Sequence, residues 1–399
     1  MILPTKPLMV LLLSLLSAHL TTPAAAKPLL IRTNVYRNSS SGETYVRGPV
    51  IERNFPDPSI IYWNGTWWAF ATENESVHIQ VASSPDFVDW TYMEGQDALP
   101  DPPAWVNASA PNTWAPDVNL MEDGTFVMYF SATTVYNSSL HCIGAATATN
   151  PQGPYAAEPT TQACPLDEGG AIDSSGFKDW QVKGSGWGPG NWNSSGVRVT
   201  SGNGTNDCWS NQTWWGGGRG GQRYIVYKVD GNALGNGNAL NTGTCGNTIP
   251  PLSPTPIMLQ AVDSSGLQPI GTPTVLLQHA GLADDGLIEA PSLFKTARGT
   301  YILFFSSGCF NSDNYTVSYA TADAVTGPYT RAAAPLLATG SVGQGVGFEE
   351  GSGGVLRSPG GMDVYWDGRH MVLHADYPDV DTRALWIAEI DVTDGVVGV

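Results

Sequence analysis

Five acidic residues, Asp57, Asp117, Asp173, Glu289 and Asp363, each stand at the head of a short apolar stretch. Carboxyl groups brought into one cavity push their proton affinities apart, so that one keeps a proton while another stays ionised. Hydrolysis of a glycosidic bond needs that division of labour: an acid for the leaving oxygen and a base for the attacking water. Trp114, three residues before Asp117, has an aromatic face suited to the apolar side of a sugar ring.

Such residues act together only if the fold makes their elements converge. After each acidic head the chain runs through apolar residues to a turn, such as Asn64-Gly65, Asp123-Gly124 or Asp367-Gly368, and then into an aromatic and β-branched run. Asn-Gly and Asp-Gly between apolar runs are strong hairpin signals. A second strand pair follows, and two of these pairs lead to the same turn, Gln152-Gly-Pro-Tyr and Thr326-Gly-Pro-Tyr. Two hairpins per unit make a four-stranded antiparallel blade, and five units predict an all-β, five-bladed β-propeller. The acidic heads are then expected at equivalent positions on the innermost strands, facing the axis. The third unit is stretched by Gly- and Asn-rich insertions at about 178–221 and 231–252. The first holds Trp187, Trp192, Trp209, Trp214 and Trp215. It is expected to pack on the propeller and wall the cleft.

Composition narrows the partners. The formal net charge is −18 and only 14% of residues are charged. Such a chain repels phosphate backbones and anionic surfaces, which argues against nucleic-acid and membrane-surface partners. Lys6, the apolar run Leu8–Leu16 and Ala24-Ala25-Ala26 read as a secretory signal peptide over residues 1–26. The remainder, 27–399, is expected to be one secreted, soluble domain. Asn38, Asn64, Asn74, Asn107, Asn137, Asn193, Asn203, Asn211 and Asn314 head Asn-x-Ser/Thr sequons, which predicts surface loops carrying glycans. The cysteines Cys142, Cys164, Cys208, Cys245 and Cys309 have no metal-site spacing. Short closures favour Cys142–Cys164 and Cys208–Cys245, with Cys309 free.

Phe55-Pro56-Asp57-Pro58-Ser59, Trp114-Ala115-Pro116-Asp117, Ile172-Asp173 and Glu289-Ala290-Pro291 resemble the successive blade signatures of glycoside hydrolase family 43. The resemblance covers the chain from about residue 46 onward. It implies a five-bladed propeller that removes or cleaves α-L-arabinofuranosyl or β-D-xylosyl units with inversion. Carried over residue by residue, it makes Asp57 the general base and Glu289 the general acid. Asp173 becomes the carboxylate that orients the acid and raises its pKa, although Ser174-Ser175-Gly176 departs from the Pro-Ser pattern expected after it. Trp114 and Asp117 are assigned to the rim of the binding subsite, and Arg357 to a sugar hydroxyl or to the acidic cluster. Many arabinan-cleaving members place Gly-His at the head of the fifth blade, where the His helps to hold an axial metal. Here that stretch is Gly360-Gly361-Met362-Asp363. No cofactor is expected, and the case for a structural Ca²⁺ rests on an Asp363 oxygen without that imidazole. His370 and His374 read as packed or exposed strand residues.

The leading reading is a secreted monomer hydrolysing α-L-arabinofuranosyl linkages in plant cell-wall arabinan or arabinoxylan. A β-xylosidase of the same family, a fructan furanosidase and a non-catalytic sugar-binding propeller are the alternatives. Exo and endo action stay open.

Overall fold

The computed structural model describes residues 46–180, 221–237, 245–341, 356–377, 382–393 and 395–399. Among them every regular element is a strand or a single 3-10 turn, which matches a sequence of short alternating runs broken by Gly, Asn and Pro. The strands are β1 (Val46–Ile51), β2 (Ser59–Trp63), β3 (Thr66–Ala71), β4 (Gln80–Ser84), β5 (Thr91–Tyr92), β6 (Trp114–Leu120), β7 (Phe126–Thr134), β8 (Asn137–Ala148) and β9 (Ala156–Ala157). There follow β10 (Ala171–Trp180), β11 (Gly221–Val229), β12 (Ile257–Val262), β13 (Pro269–Leu277), β14 (Ile288–Lys295), β15 (Tyr301–Ser307), β16 (Thr316–Ala322) and β17 (Thr330–Arg331). The last are β18 (Gly360–Val364), β19 (His370–Asp376), β20 (Arg383–Glu389) and a small hairpin of β21 (Asp391–Thr393) with β22 (Val396–Gly398).

Four blades form in chain order, β2–β5, β6–β9, β10–β13 and β14–β17. The fifth has the order β18-β19-β20-β1, so its outer strand comes from the start of the described chain. Val46 pairs with Ala388 and Ile51 with Leu385, which joins the two ends of the ring. The sequence reading assigned the fifth blade to its own unit and did not anticipate this closure.

Each blade buries one face against the next, giving five apolar clusters. Ile61, Phe70, Phe126 and Phe130 fill the seam between blades one and two. Ile60, Trp67, Val372 and Leu385 fill the seam between blades five and one. A fully buried side chain of this size contributes about 1.5–3 kcal/mol, so the stability resides in the seams and no blade is stable alone.

Among the described residues two disulfides are formed. Cys142–Cys164 is as expected. The second is Cys245–Cys309, which corrects the expected Cys208–Cys245 pair and the free Cys309. Sequence separation is a poor guide in a ring: the β11–β12 connection of blade three lies beside the β15–β16 connection of blade four. Asn64, Asn137 and Asn314 are exposed, whereas Asn74 is half-buried and its Nδ2 donates to Gln80 and Tyr92. The signal-peptide region, Cys208, the sequons Asn38, Asn193, Asn203 and Asn211, and the Trp-rich stretch 181–220 lie outside the described residues. Trp180 and Gly221, which flank that stretch, pair at the end of the blade opposite Ala171 and Val229, remote from Asp173. Among the described residues no helix is long and apolar enough to cross a membrane.

Candidate active site

Every blade enters its innermost strand through the same four-residue turn. Its second residue has a left-handed backbone: Asp57 (φ 52°), Ala115 (45°), Asp173 (56°), Ala290 (48°) and Gly361 (52°). In blades two to five the strand pairing slips at this point, between Trp114 and Asp117, Ile172 and Ser175, Glu289 and Ser292, and Gly360 and Asp363. Non-glycine residues in this conformation cost roughly 1–2 kcal/mol each, so something must hold them there.

A side chain does so in every blade. The second-residue N–H donates to a side chain of the preceding blade: Asp57 to His374 Nδ1 (3.0 Å), Ala115 to Thr72 Oγ1 (3.0 Å), Asp173 to Ser131 Oγ (3.0 Å) and Gly361 to Ser306 Oγ (2.9 Å). These acceptors occupy one repeated place, beside the first turn residue on the second strand, as in Gly360–His374, Trp114–Ser131 and Glu289–Ser306. In blade three that place belongs to Lys228, paired with Ile172, and an ammonium cannot accept. Ala290 N–H donates instead to Asp173 Oδ2 (3.0 Å).

The acidic heads are therefore not equivalent, contrary to the sequence expectation. Glu289 is the first turn residue, Asp57 and Asp173 are second, and Asp117 and Asp363 are fourth. Asp57 Oδ2 accepts from Thr72 Oγ1 (2.8 Å) and Oδ1 lies 3.2 Å from Arg383 Nη1. Burial pushes the Asp57 carboxyl up, but Arg383, with the Thr72 hydroxyl, outweighs it and holds Asp57 below the ordinary aspartate value. Arg383 packs its guanidinium 4.7 Å from the Phe310 ring centroid, which keeps it over Asp57. His374 is buried and pushed down to about 3 by burial and by Arg383, so it stays neutral and can accept the Asp57 N–H.

Asp173 behaves oppositely. Burial raises it well above the ordinary range and the charges of Glu289 and Asp57 add to this, against Lys228 and the Ala290 N–H. Glu289 accepts from Tyr315 Oη at Oε1 (3.0 Å) and from Lys228 Nζ at Oε2 (2.9 Å). One carboxylate is thus kept ionised and another protonated within one cluster, the arrangement that acid–base hydrolysis uses.

The remaining candidates fall elsewhere. Asp117 is buried rather than at a rim: its Oδ1 accepts from Gly176 N (2.9 Å) and from the Asn119 amide. Burial and the charge of Asp363 push it up to about 7. Asp363 accepts from Ile60 N and Ser292 Oγ (both 3.0 Å), joining blades one, four and five. Trp114 is half-buried with its ring stacked on His141, centroids 3.9 Å apart. Arg357 pairs with Asp313 (3.2 Å). His370 pairs with Asp367 (2.6 Å) and packs on Trp67. Among the described residues no group of three His, Cys, Asp or Glu is disposed to hold a metal ion.

Sequence reasoning missed His374, Arg383, Thr72, Lys228 and Tyr315. The signal for His374 was the bare Gly361: a Cβ there would lie 2.4 Å from His374 Cε1.

Residues 46–203 match the model of glycosyl hydrolases family 43. Two curated relatives are similar in sequence. One is an extracellular endo-α-(1→5)-L-arabinanase 2 of Bacillus subtilis (strain 168), 30% identical over 122 residues, 28% of this chain and 25% of that protein. The other is an extracellular endo-α-(1→5)-L-arabinanase of Thermotoga petrophila, 30% identical over 111 residues, 25% of this chain and 22% of that protein. The chain thus matches about a quarter of each relative's length. Among solved structures, a thermostable family-43 glycoside hydrolase superimposes with a TM-score of 0.58 at 20% identity, covering 87% of this chain and 92% of that one. An endo-arabinase from Bacteroides thetaiotaomicron gives 0.56 at 16% identity, covering 88% and 99%. At these identities the superpositions show the shared propeller fold.

Proposed function

We propose that the protein is a secreted glycosidase that hydrolyses α-L-arabinofuranosyl linkages of plant cell-wall arabinan or arabinoxylan with inversion. The observation that carries this reading is the split cluster. Asp57 is held ionised by Arg383 and Thr72, and Asp173 is held protonated by burial beside Glu289. In this reading Asp57 takes the proton of the attacking water, and its carboxylate is presented by the left-handed turn that His374 anchors. Glu289 gives a proton to the leaving oxygen, and Asp173 beside it holds the proton reserve of the pair. Arabinose is preferred to xylose because both curated relatives are named arabinanases. Secretion is supported by the leader-like residues 1–26 and by two disulfides, which persist in oxidising compartments.

The test is release of reducing sugar from linear arabinan, arabinoxylan, β-1,4-xylan and inulin by the wild type and by Asp57→Asn. Arabinan or arabinoxylan should be cleaved by the wild type, and the variant should lose nearly all of that rate. No release from any of the four, or an unimpaired variant, would defeat the proposal.

A further inference from the structure

Four of the five blades place an acceptor, His374, Thr72, Ser131 or Ser306, where the next blade's left-handed N–H needs one. Blade three places Lys228 there instead, and does so beside the carboxylates of the candidate site. The lysine is 1% exposed. Burying an ammonium carries a penalty of several kcal/mol unless it is paired, so the exception is an expensive one to keep.

Its pairing is unequal. Nζ donates a hydrogen bond to Glu289 Oε2 at 2.9 Å. It lies 3.0 Å from Asp230 Oδ1, but that oxygen has no aligned hydrogen-bond donor. One of the three Lys228 N–H bonds is thus aimed at Glu289, and Asp230 acts as a nearby charge. With Tyr315 Oη on Oε1, both Glu289 oxygens receive donors, an environment suited to the carboxylate form. A general acid must instead carry a proton when the glycosidic oxygen leaves.

We propose that Lys228 is a positioning residue that sets the pH range in which Glu289 can act as the acid, and that Asp230 tunes how much of the lysine charge Glu289 feels. The inference rests on the reading of Glu289 as general acid. In the resting site the proton of the pair resides on Asp173. It passes to Glu289, leaving Asp173 ionised, as Lys228 is drawn toward Asp230, and the net charge of the cluster does not change. The charged and titratable groups facing Glu289 are Asp173 from β10, Lys228 from β11 with Asp230 after it, Tyr315 before β16, and Asp57 across the cluster. His141 on β8 lies near Lys228 and Asp230, and burial lowers it to about 4, so it adds no charge near neutrality. Arg383 acts on Asp57.

Two substitutions separate this role from a structural one because they act in opposite directions. Lys228→Met removes the cation, so Glu289 keeps its proton to higher pH. The basic limb of kcat/KM on unactivated arabino-oligosaccharides should then move up, by about 1–3 pH units for a charge this close. Asp230→Asn leaves the whole lysine charge to Glu289, and the same limb should move down. Lowered rates with unmoved limbs in both variants would overturn the proposal. If Lys228→Met does not fold, the direction of the limb in Asp230→Asn decides alone. If the wild type hydrolyses no glycoside, the functional reading has failed. The electrostatic inference is then read by ¹³C NMR titration of the Glu289 carboxyl, with proton uptake at lower pH in Asp230→Asn supporting it and unchanged uptake overturning it.

Discussion

Replacement of Glu289 by glutamine separates its hold on Lys228 from the proton donation proposed for it. Gln is nearly isosteric, but its amide can accept at only one end. Tyr315 Oη, at 3.0 Å, can turn and accept from the amide NH₂, whereas Lys228 Nζ, at 2.9 Å, can only donate. The amide oxygen should therefore face Lys228, and the ion pair becomes an ion–dipole contact with Asp230 still 3.0 Å away. The stability loss should be about 1–3 kcal/mol, as for a weakened charged hydrogen bond rather than a stranded charge. The catalytic loss should be larger on natural substrates. A general acid contributes about 10²–10⁴-fold, equivalent to about 3–5 kcal/mol of barrier. A 4-nitrophenyl arabinofuranoside has a phenolate that departs without a proton, so there the loss should be about tenfold or less. The assay is kcat/KM for the wild type and Glu289→Gln on linear arabino-oligosaccharides and on the aryl glycoside, at a temperature where both proteins are folded. Equal losses on the two substrates would refute the assignment of Glu289 as acid.

Other perturbations reach different parts of the account. Gly361→Ala would set a Cβ 2.4 Å from His374 at a backbone φ of +52°, so unfolding free energy should fall by about 1–3 kcal/mol, measured by denaturant unfolding, whereas Gly65→Ala meets nothing within 4 Å and should lose only the cost of its φ of +84°. Asp117 is raised in the fold to about 7, so its unfavourable contribution is absent below the ordinary aspartate pKa, grows as pH rises and is complete above about 7. Asp117→Asn keeps an acceptor for Gly176, and its thermal stability relative to wild type should improve between pH 4 and pH 8; a constant difference would contradict the buried pair with Asp363. Opening Cys245–Cys309, which spans 64 residues, should lower stability by up to about 4 kcal/mol on the loop-entropy model, measured by denaturant unfolding of a Cys245→Ser/Cys309→Ser variant.

The strands were legible because their signals are local. Asn64-Gly65 and Asp123-Gly124 sit at hairpin turns between strands that pair as expected, and the two Gly-Pro-Tyr turns close corresponding outer strands. The three carboxylates were legible because each opens a blade. Their positions within the turn were not, since one residue's slip at a bulge changes which way a side chain points and no periodicity marks it. That slip accompanies the burial of Asp117, which is bonded to Gly176 rather than exposed at a rim. Residues from the second strands were invisible for another reason. His374 lies 317 residues from Asp57 and reaches it only because β1 closes the ring onto β20. Cys245–Cys309 was missed likewise, since neighbouring blades bring distant connections together.

The most direct measurement of the central claim is the anomeric configuration of the first product, followed by ¹H NMR during early hydrolysis of an α-L-arabinofuranoside. If Asp57 activates water for a single displacement while Glu289 protonates the leaving oxygen, the β-anomer should appear first and equilibrate later. Asp57→Asn should produce neither anomer at a measurable rate. Early release of the α-anomer, or normal turnover by Asp57→Asn, would contradict the assignment of base and acid.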